Sequence, residues 1–165
     1  FTTVSKSIFQ TKLKALDLEP IAKRLIHPEH GLGWNHKQVS QAIERYKMFL
    51  YLIYLYPNRA IIPTREIDIV WHYHILDTHK YASDCELLFG YFLHHNPNFD
   101  YEIEIEKLAW SEGFAETIAL FAEHFGINLS EEIDNNQGAF FIFSNSNLQQ
   151  ASACVDPCSK GWLLR

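Results

Sequence analysis

Histidine, aspartate and cysteine side chains are concentrated in one stretch of the chain, IDIVWHYHILDTHKYASDC, at residues 67–85. Such side chains supply the nitrogen, oxygen and sulfur atoms that bind zinc, iron and copper in proteins. We therefore predict a site for one transition-metal ion: zinc, iron or copper. The candidate ligands are Asp68, His72, His74, Asp84, Cys85 and, further along the chain, His94.

The secondary structure of residues 64–76 decides which of these side chains can share an ion. In a helix, Asp68 and His72 lie on one face, whereas His72 and His74 point to nearly opposite sides. In a strand, all three would face one way. Alternating apolar and polar residues favour a strand, whereas an N-cap at Thr64 favours a helix. If the segment is a helix, the remaining ligands are expected from Asp84, Cys85 or His94 in the helix that follows.

Two other interpretations of the same residues stay open. Buried histidine and aspartate side chains often satisfy each other, which would make this stretch a structural polar network. Cys85 could instead be a nucleophile, with His72 or His94 as base and Asp84 orienting the histidine. A cysteine in the middle of a helix beside leucines is, however, more typical of a small buried side chain.

The residue spacing excludes several common sites. It matches neither a Cys-x-x-Cys zinc ribbon nor a His-Glu-x-x-His protease motif, and the chain has no glycine-rich phosphate loop. No nucleotide cofactor is therefore expected. Other histidines are weaker candidates: His79 and His124 are expected to face solvent, and a loop is flanked by His27, His30 and His36.

Helical periodicity and capping residues predict the elements that position the candidate ligands. Asn35 is expected to cap a long helix that Pro57 ends, and Ser111 and Gly126 to bound a later one. The predicted helical ranges are 8–26 with Pro20 at a helix start, 36–56, 64–76, 78–95 and 111–126. We expect a mostly helical, all-α domain at 1–130. An Asn/Ser-rich tail at 131–165 would hold Cys154, Cys158 and at most one short strand or helix, at AFFIF.

Composition narrows the function classes. The chain has 165 residues, of which 47% are hydrophobic and 21% charged, which is typical of a globular protein. A net charge of −6 without a basic block argues against nucleic acid as a partner. The longest apolar run, MFLYLIYLY, is too short to span a bilayer. Three cysteines, an odd number, argue for a reducing compartment and a cytoplasmic location.

The segment PTREIDIVWHYHILDTHKYASDCELLFGYFLHHNPNF resembles the glycine-rich domain-containing protein-like family, which has stand-alone bacterial members and related segments in longer plant proteins. The resemblance extends over roughly residues 16–127 and implies a helical fold, but it attaches no reaction to the chain. It also favours a helix for residues 64–76. The matching residues are Asp68, Trp71, His72, His74, Leu76, Asp77, Thr78, Tyr81, Asp84, Cys85, Phe89, Gly90, His94 and Pro97.

We therefore expect a helical domain, from a bacterium, that binds a transition metal around the WHYH motif, with enzymatic activity left open. The alternative is a non-enzymatic adaptor that binds a protein or peptide partner, with the histidines serving the structure. Its binding surface would then use Tyr51, Tyr54 and Tyr56, or the tail, whose AFFIF segment would fold back on the domain.

Overall fold

Helices account for all the regular structure in residues 5–95 and 104–130, the part of the chain that the computed structural model describes. Within these ranges there is no strand, which confirms the predicted all-α class. The helices are α1 (Lys6–Ala15), α2 (Glu19–Ile26), α3 (His36–Leu55), α4 (Arg65–Leu76), α5 (Thr78–Phe89) and α6 (Glu104–Phe125).

The long helix α3 is the centre of the packing. It begins at a capping box, in which the Asn35 side chain accepts a hydrogen bond from the Gln38 backbone N–H and the Gln38 side-chain oxygen accepts one from the Asn35 backbone N–H. This confirms the predicted N-cap. Helices α1, α2, α4 and α6 all pack against α3. Its second half is therefore covered on several sides, and Phe49, Leu50 and Leu52 are buried.

Residues 64–76 form a helix and not a strand. The Thr64 side chain accepts a hydrogen bond from the Ile67 backbone N–H, which confirms Thr64 as the N-cap of α4. The buried residues of α4 are spaced at helical intervals: Ile67, Val70, Trp71 and His74. The alternation of apolar and polar residues was therefore a weaker signal than the cap.

Three predicted helix ranges differ from the observed ones. The range 8–26 contains two helices, and Pro20, which lacks a backbone N–H, lies in the first turn of the second, which confirms the prediction that it lies at a helix start. The helix predicted at 78–95 ends at Phe89, where Gly90 adopts a left-handed conformation with φ 75°. Helix α6 begins before Ser111, so the prediction of Ser111 as an N-cap was wrong, whereas Gly126 does follow its last residue.

The described residues up to Ile127 belong to one compact unit, and Asn128 opens a second. The predicted tail at 131–165, with Cys154, Cys158 and AFFIF, lies outside the described residues, so the predicted domain boundary stays a prediction. Among the described helices, none has the length and apolar content that a membrane span needs.

Gly90 redirects the chain after α5, and its conformation predicts the cost of replacing it. A Cβ atom at Gly90 would meet nothing within 4 Å, so Gly90→Ala is penalised only by its positive φ. We expect a loss of about 1 kcal/mol in the free energy of unfolding, measured by urea denaturation. Gly90→Asn should lose less, because asparagine tolerates this conformation; equal losses in both variants would contradict the explanation.

Candidate metal centre

Asp68 and His72 meet on one face of α4, as their spacing on a helix requires. His72 Nε2 lies 3.6 Å from Asp68 Oδ2. His95, which lies beyond the end of α5, adds a second imidazole: its Nε2 atom is 2.8 Å from Asp68 Oδ1 and 3.2 Å from His72 Nε2. One ligand atom from each side chain thus lies within 4.8 Å of the other two.

These separations are those of ligand atoms around one ion. Zinc–nitrogen and zinc–oxygen bonds of about 2.0–2.2 Å at tetrahedral angles place neighbouring ligand atoms roughly 3.3 Å apart. His95 Nε2 lies near that distance from both of its neighbours, at 2.8 Å from Asp68 Oδ1 and 3.2 Å from His72 Nε2. The 3.6 Å distance from His72 Nε2 is to the other carboxylate oxygen, Asp68 Oδ2. An ion could therefore be held with small movements of the side chains.

The cluster brings two imidazole nitrogens and the two Asp68 carboxylate oxygens close together, and each of these atoms can accept a hydrogen bond. A neutral imidazole nitrogen either donates or accepts a hydrogen bond. If His95 Nε2 carries a proton, that proton faces both Asp68 Oδ1 and His72 Nε2, at donor–acceptor distances of 2.8 and 3.2 Å. A divalent cation would satisfy the lone pairs of all three side chains at once, which a single shared proton does less well.

The side chains of Asp68, His72 and His95 are more exposed than those of a buried core network. The exposed fractions are 31% for Asp68, 39% for His72 and 16% for His95. An ion could therefore enter from solvent. On the protein side, the His95 ring packs edge-on against Trp71, with ring centroids 4.4 Å apart. The cluster thus has one open side and one side fixed by the core.

His74 belongs to a second, buried network. Its Nε2 atom is 2.9 Å from Asp84 Oδ2, and its Nδ1 atom is 2.9 Å from the Tyr46 hydroxyl. Burial lowers the pKa of His74, and the nearby Asp84 carboxylate opposes this shift. A neutral ring that donates from Nε2 to Asp84 accepts from Tyr46 at Nδ1, so each group is satisfied. Lys80 completes the network with a 2.9 Å ion pair to Asp84.

Cys85 lies in the core and is only 3% exposed. Burial raises the pKa of its thiol. Hydrogen bonds with the Leu93 backbone and the Tyr81 side chain act in the opposite direction and lower this pKa. A nucleophilic cysteine needs an accessible, acidified thiol. The Cys85 thiol is instead buried and has a raised pKa. The structure therefore supports the interpretation of Cys85 as a small buried side chain.

The candidate ligands are thus divided among four environments. Asp68 and His72 come together, whereas His74 and Asp84 form the buried network and Cys85 lies in the core. His94 is exposed and packs its ring against Phe92 at 4.9 Å, outside the cluster that His95 joins. Whether any of these side chains binds a metal stays a prediction.

His95 is the residue that the sequence interpretation missed. The predicted helix extended to residue 95, and of its two adjacent histidines only His94 was chosen as a candidate ligand. Gly90 was the available signal, since a glycine often follows the last residue of a helix and reverses the chain direction there. With α5 ending at Phe89, either histidine becomes a candidate, and only tertiary contacts select His95.

Removing the Tyr46 hydroxyl tests the buried network. In Tyr46→Phe, His74 Nδ1 loses its hydrogen-bond donor inside the core, so we expect a loss of about 1–3 kcal/mol in unfolding free energy. Tyr91→Phe, at an exposed ring, is the control and should stay within about 0.5 kcal/mol of the parent. Similar urea midpoints for Tyr46→Phe and Tyr91→Phe would show that the hydrogen bond contributes little.

The burial of Cys85 predicts its reactivity. Iodoacetamide should modify Cys85 much more slowly in the native protein than in the urea-unfolded chain, because the thiol is both buried and poorly ionised. Peptide mapping by mass spectrometry separates Cys85 from Cys154 and Cys158. Rapid native labelling at Cys85 would restore the nucleophile interpretation.

Comparison with known proteins agrees with the predicted resemblance. The profile of the UCP032817-like family matches residues 10–128. Two Arabidopsis thaliana proteins, glycine-rich domain-containing proteins 1 and 2, are 35% and 36% identical to the chain over 92 residues, or 53% of its length. The match spans only 11% of each plant protein. No solved structure shows significant similarity. The chain belongs to the UCP032817-like family and is related to the glycine-rich domain-containing proteins.

Proposed function

We propose that this domain binds one divalent transition-metal ion through Asp68, His72 and His95. The observation that carries the proposal is the convergence of one ligand atom from each side chain to within 4.8 Å, on a partly exposed face. Two of the three residues come from one turn of α4, which fixes their relative positions. The third comes from the segment after Gly90 and closes the cluster.

The chemistry of the ligands narrows the choice of ion. Two imidazoles and one carboxylate occur together in catalytic zinc sites and in non-haem iron sites, and imidazole also suits Cu(II). The three side chains contribute no sulfur, which disfavours Cu(I). Zinc and ferrous iron are therefore the leading candidates, followed by Cu(II). Because both zinc and iron sites of this composition occur in enzymes, an enzymatic role belongs to the proposal.

A cytoplasmic location and a bacterial source complete the proposed setting. The location rests on the cysteine count of the chain and on the buried, unpaired thiol of Cys85. The source rests on the resemblance to stand-alone bacterial members of the family.

The second candidate function is an adaptor that binds a protein or peptide, and a different surface supports it. Tyr51 is buried, which removes it from the predicted binding surface. Exposed large apolar side chains occur instead near the end of α5, at Leu87, Tyr91 and Phe92. Exposed apolar groups of this kind occur at binding surfaces. An adaptor would bind its partner equally well with and without metal, which separates the two functions.

Metal content tests the main proposal. Protein purified without chelator should contain one equivalent of zinc, iron or copper by elemental mass spectrometry. Cys154→Ser/Cys158→Ser serves as the background, so that the tail thiols cannot supply the signal. Structural zinc sites gain roughly 10–16 kcal/mol from four ligands. Loss of one ligand, in His72→Ala or His95→Ala, should thus weaken zinc binding on the order of 100-fold.

Two neighbouring histidines provide matched controls. His94→Ala and His79→Ala remove exposed imidazoles that lie outside the cluster, and both variants should keep the parent's metal content and affinity. Absence of metal from a folded parent protein, together with no zinc binding by calorimetry, would reject the proposal. Equal losses in His94→Ala and His95→Ala would reject the assignment of His95 as the third ligand.

A further inference from the structure

The segment that carries His95 has no helical hydrogen bonding of its own. Residues 91–95 follow the left-handed Gly90 and have no regular structure, and yet the His95 ring reaches Asp68 on a different element. An irregular segment needs side-chain contacts to hold it in one position. The buried side chains that contact this segment should therefore control where His95 lies.

Tyr81 makes the central contact. Its hydroxyl donates a 2.6 Å hydrogen bond to the Leu93 carbonyl oxygen and accepts a 2.8 Å hydrogen bond from the indole N–H of Trp71. The Tyr81 ring also packs edge-on against Phe92, at a centroid distance of 5.2 Å. Since Leu93 is close to His95 in the chain, this hydroxyl joins α4, α5 and the irregular segment at one point.

Trp71 connects that point to the candidate ligands. It precedes His72 on α4, and its ring lies 4.4 Å from the His95 ring. The Trp71 indole therefore contacts His95 with its ring and Tyr81 with its N–H. Loss of the Tyr81 hydroxyl would leave the Leu93 carbonyl without this donor and loosen the packing of His95 on Trp71.

We propose that Tyr81 is a positioning residue for the metal site, which holds His95 within reach of Asp68 and His72 by fixing the Leu93 carbonyl. The contacts of Tyr81 are with Trp71, His74, Cys85 and residues 92–93, so it acts on the proposed ligand His95 through the backbone of residues 93–95. This inference rests on the proposed metal-binding function, but the placement of His95 can also be measured without metal.

The first test is zinc affinity in a double-mutant cycle of the full chain with Tyr81→Phe and His95→Ala. Tyr81→Phe keeps the buried ring and removes only the hydroxyl. It should weaken zinc binding roughly 10-fold or more, as outer groups that orient metal ligands do. In the His95→Ala background it should change the affinity by no more than about twofold, because the ligand it positions is already gone. Equal effects in both backgrounds would overturn the proposal.

A matched control separates positioning from a general loss of stability. Tyr46→Phe removes another fully buried tyrosine hydroxyl, one that bonds His74 and not residues 91–95. It should lower stability and leave zinc affinity within about twofold of the parent. If Tyr46→Phe weakens zinc binding as much as Tyr81→Phe does, the effect belongs to core stability and the positioning role is rejected.

The second test uses the metal-free protein, so that failure of metal binding and failure of positioning give different results. The nuclear Overhauser contact between the Trp71 indole and the His95 imidazole should be strong in the parent and lost in Tyr81→Phe. A parent that binds no zinc rejects the proposed function, and this contact still decides the positioning role. If the contact persists in Tyr81→Phe, the positioning role is overturned.

A second variant covers the case in which Tyr81→Phe does not fold. Trp71→Phe removes the N–H that donates to the Tyr81 hydroxyl but leaves the hydroxyl free to bind the Leu93 carbonyl. Its zinc affinity should fall less than that of His95→Ala, and the loss should again disappear in the His95→Ala background. Persistence of the loss in that background would count against positioning.

Discussion

The rotation of α4 about its own axis decides which of its side chains point into the core and which lie at the surface. Both the Asp68–His72–His95 cluster and the buried network around His74 depend on it. Successive residues of an α-helix turn by about 100°, so residues four apart share a face and residues two apart do not. Packing fixes that rotation: Trp71 meets Phe49 of α3 at a ring distance of 5.2 Å, and His74 bonds Tyr46 of α3. With His74 turned into the core, Asp68 and His72 necessarily lie at the edge of the domain.

The two histidines of the WHYH motif therefore lie in different environments. Each ring nitrogen of His74 has a hydrogen-bond partner within the protein: the Tyr46 hydroxyl at Nδ1 and the Asp84 carboxylate at Nε2. The hydrogen-bonding capacity of its ring is therefore fully used inside the core. The ring nitrogen of His72 faces a second imidazole nitrogen and a carboxylate oxygen. The first arrangement is what a buried histidine requires, and the second brings together atom types that zinc and iron bind in proteins.

Local chemistry made part of the structure predictable. Asn35 and Thr64 were identified as N-caps because capping depends on residues within one turn. The start of α6 was missed, since Ser111 is a good capping residue that can also lie inside a helix. The pairing of Asp68 with His72 followed from helical spacing once the helix was chosen. His95 did not, because its position depends on contacts between residues far apart in the chain.

Helix α4 carries two of the three side chains of the candidate metal cluster. The third is held in place by polar aromatic residues of the core. One face of α4 supplies two adjacent candidate ligands, and the third, His95, comes from another segment, which is irregular. An irregular segment leaves backbone carbonyls without helical partners, and a buried carbonyl needs a donor. Phenylalanine at position 81 would fill the same volume but could not bind the Leu93 carbonyl. In a chain with 15% aromatic residues, the hydroxyl of Tyr81 and the indole N–H of Trp71 therefore connect the packed core to the partly exposed cluster.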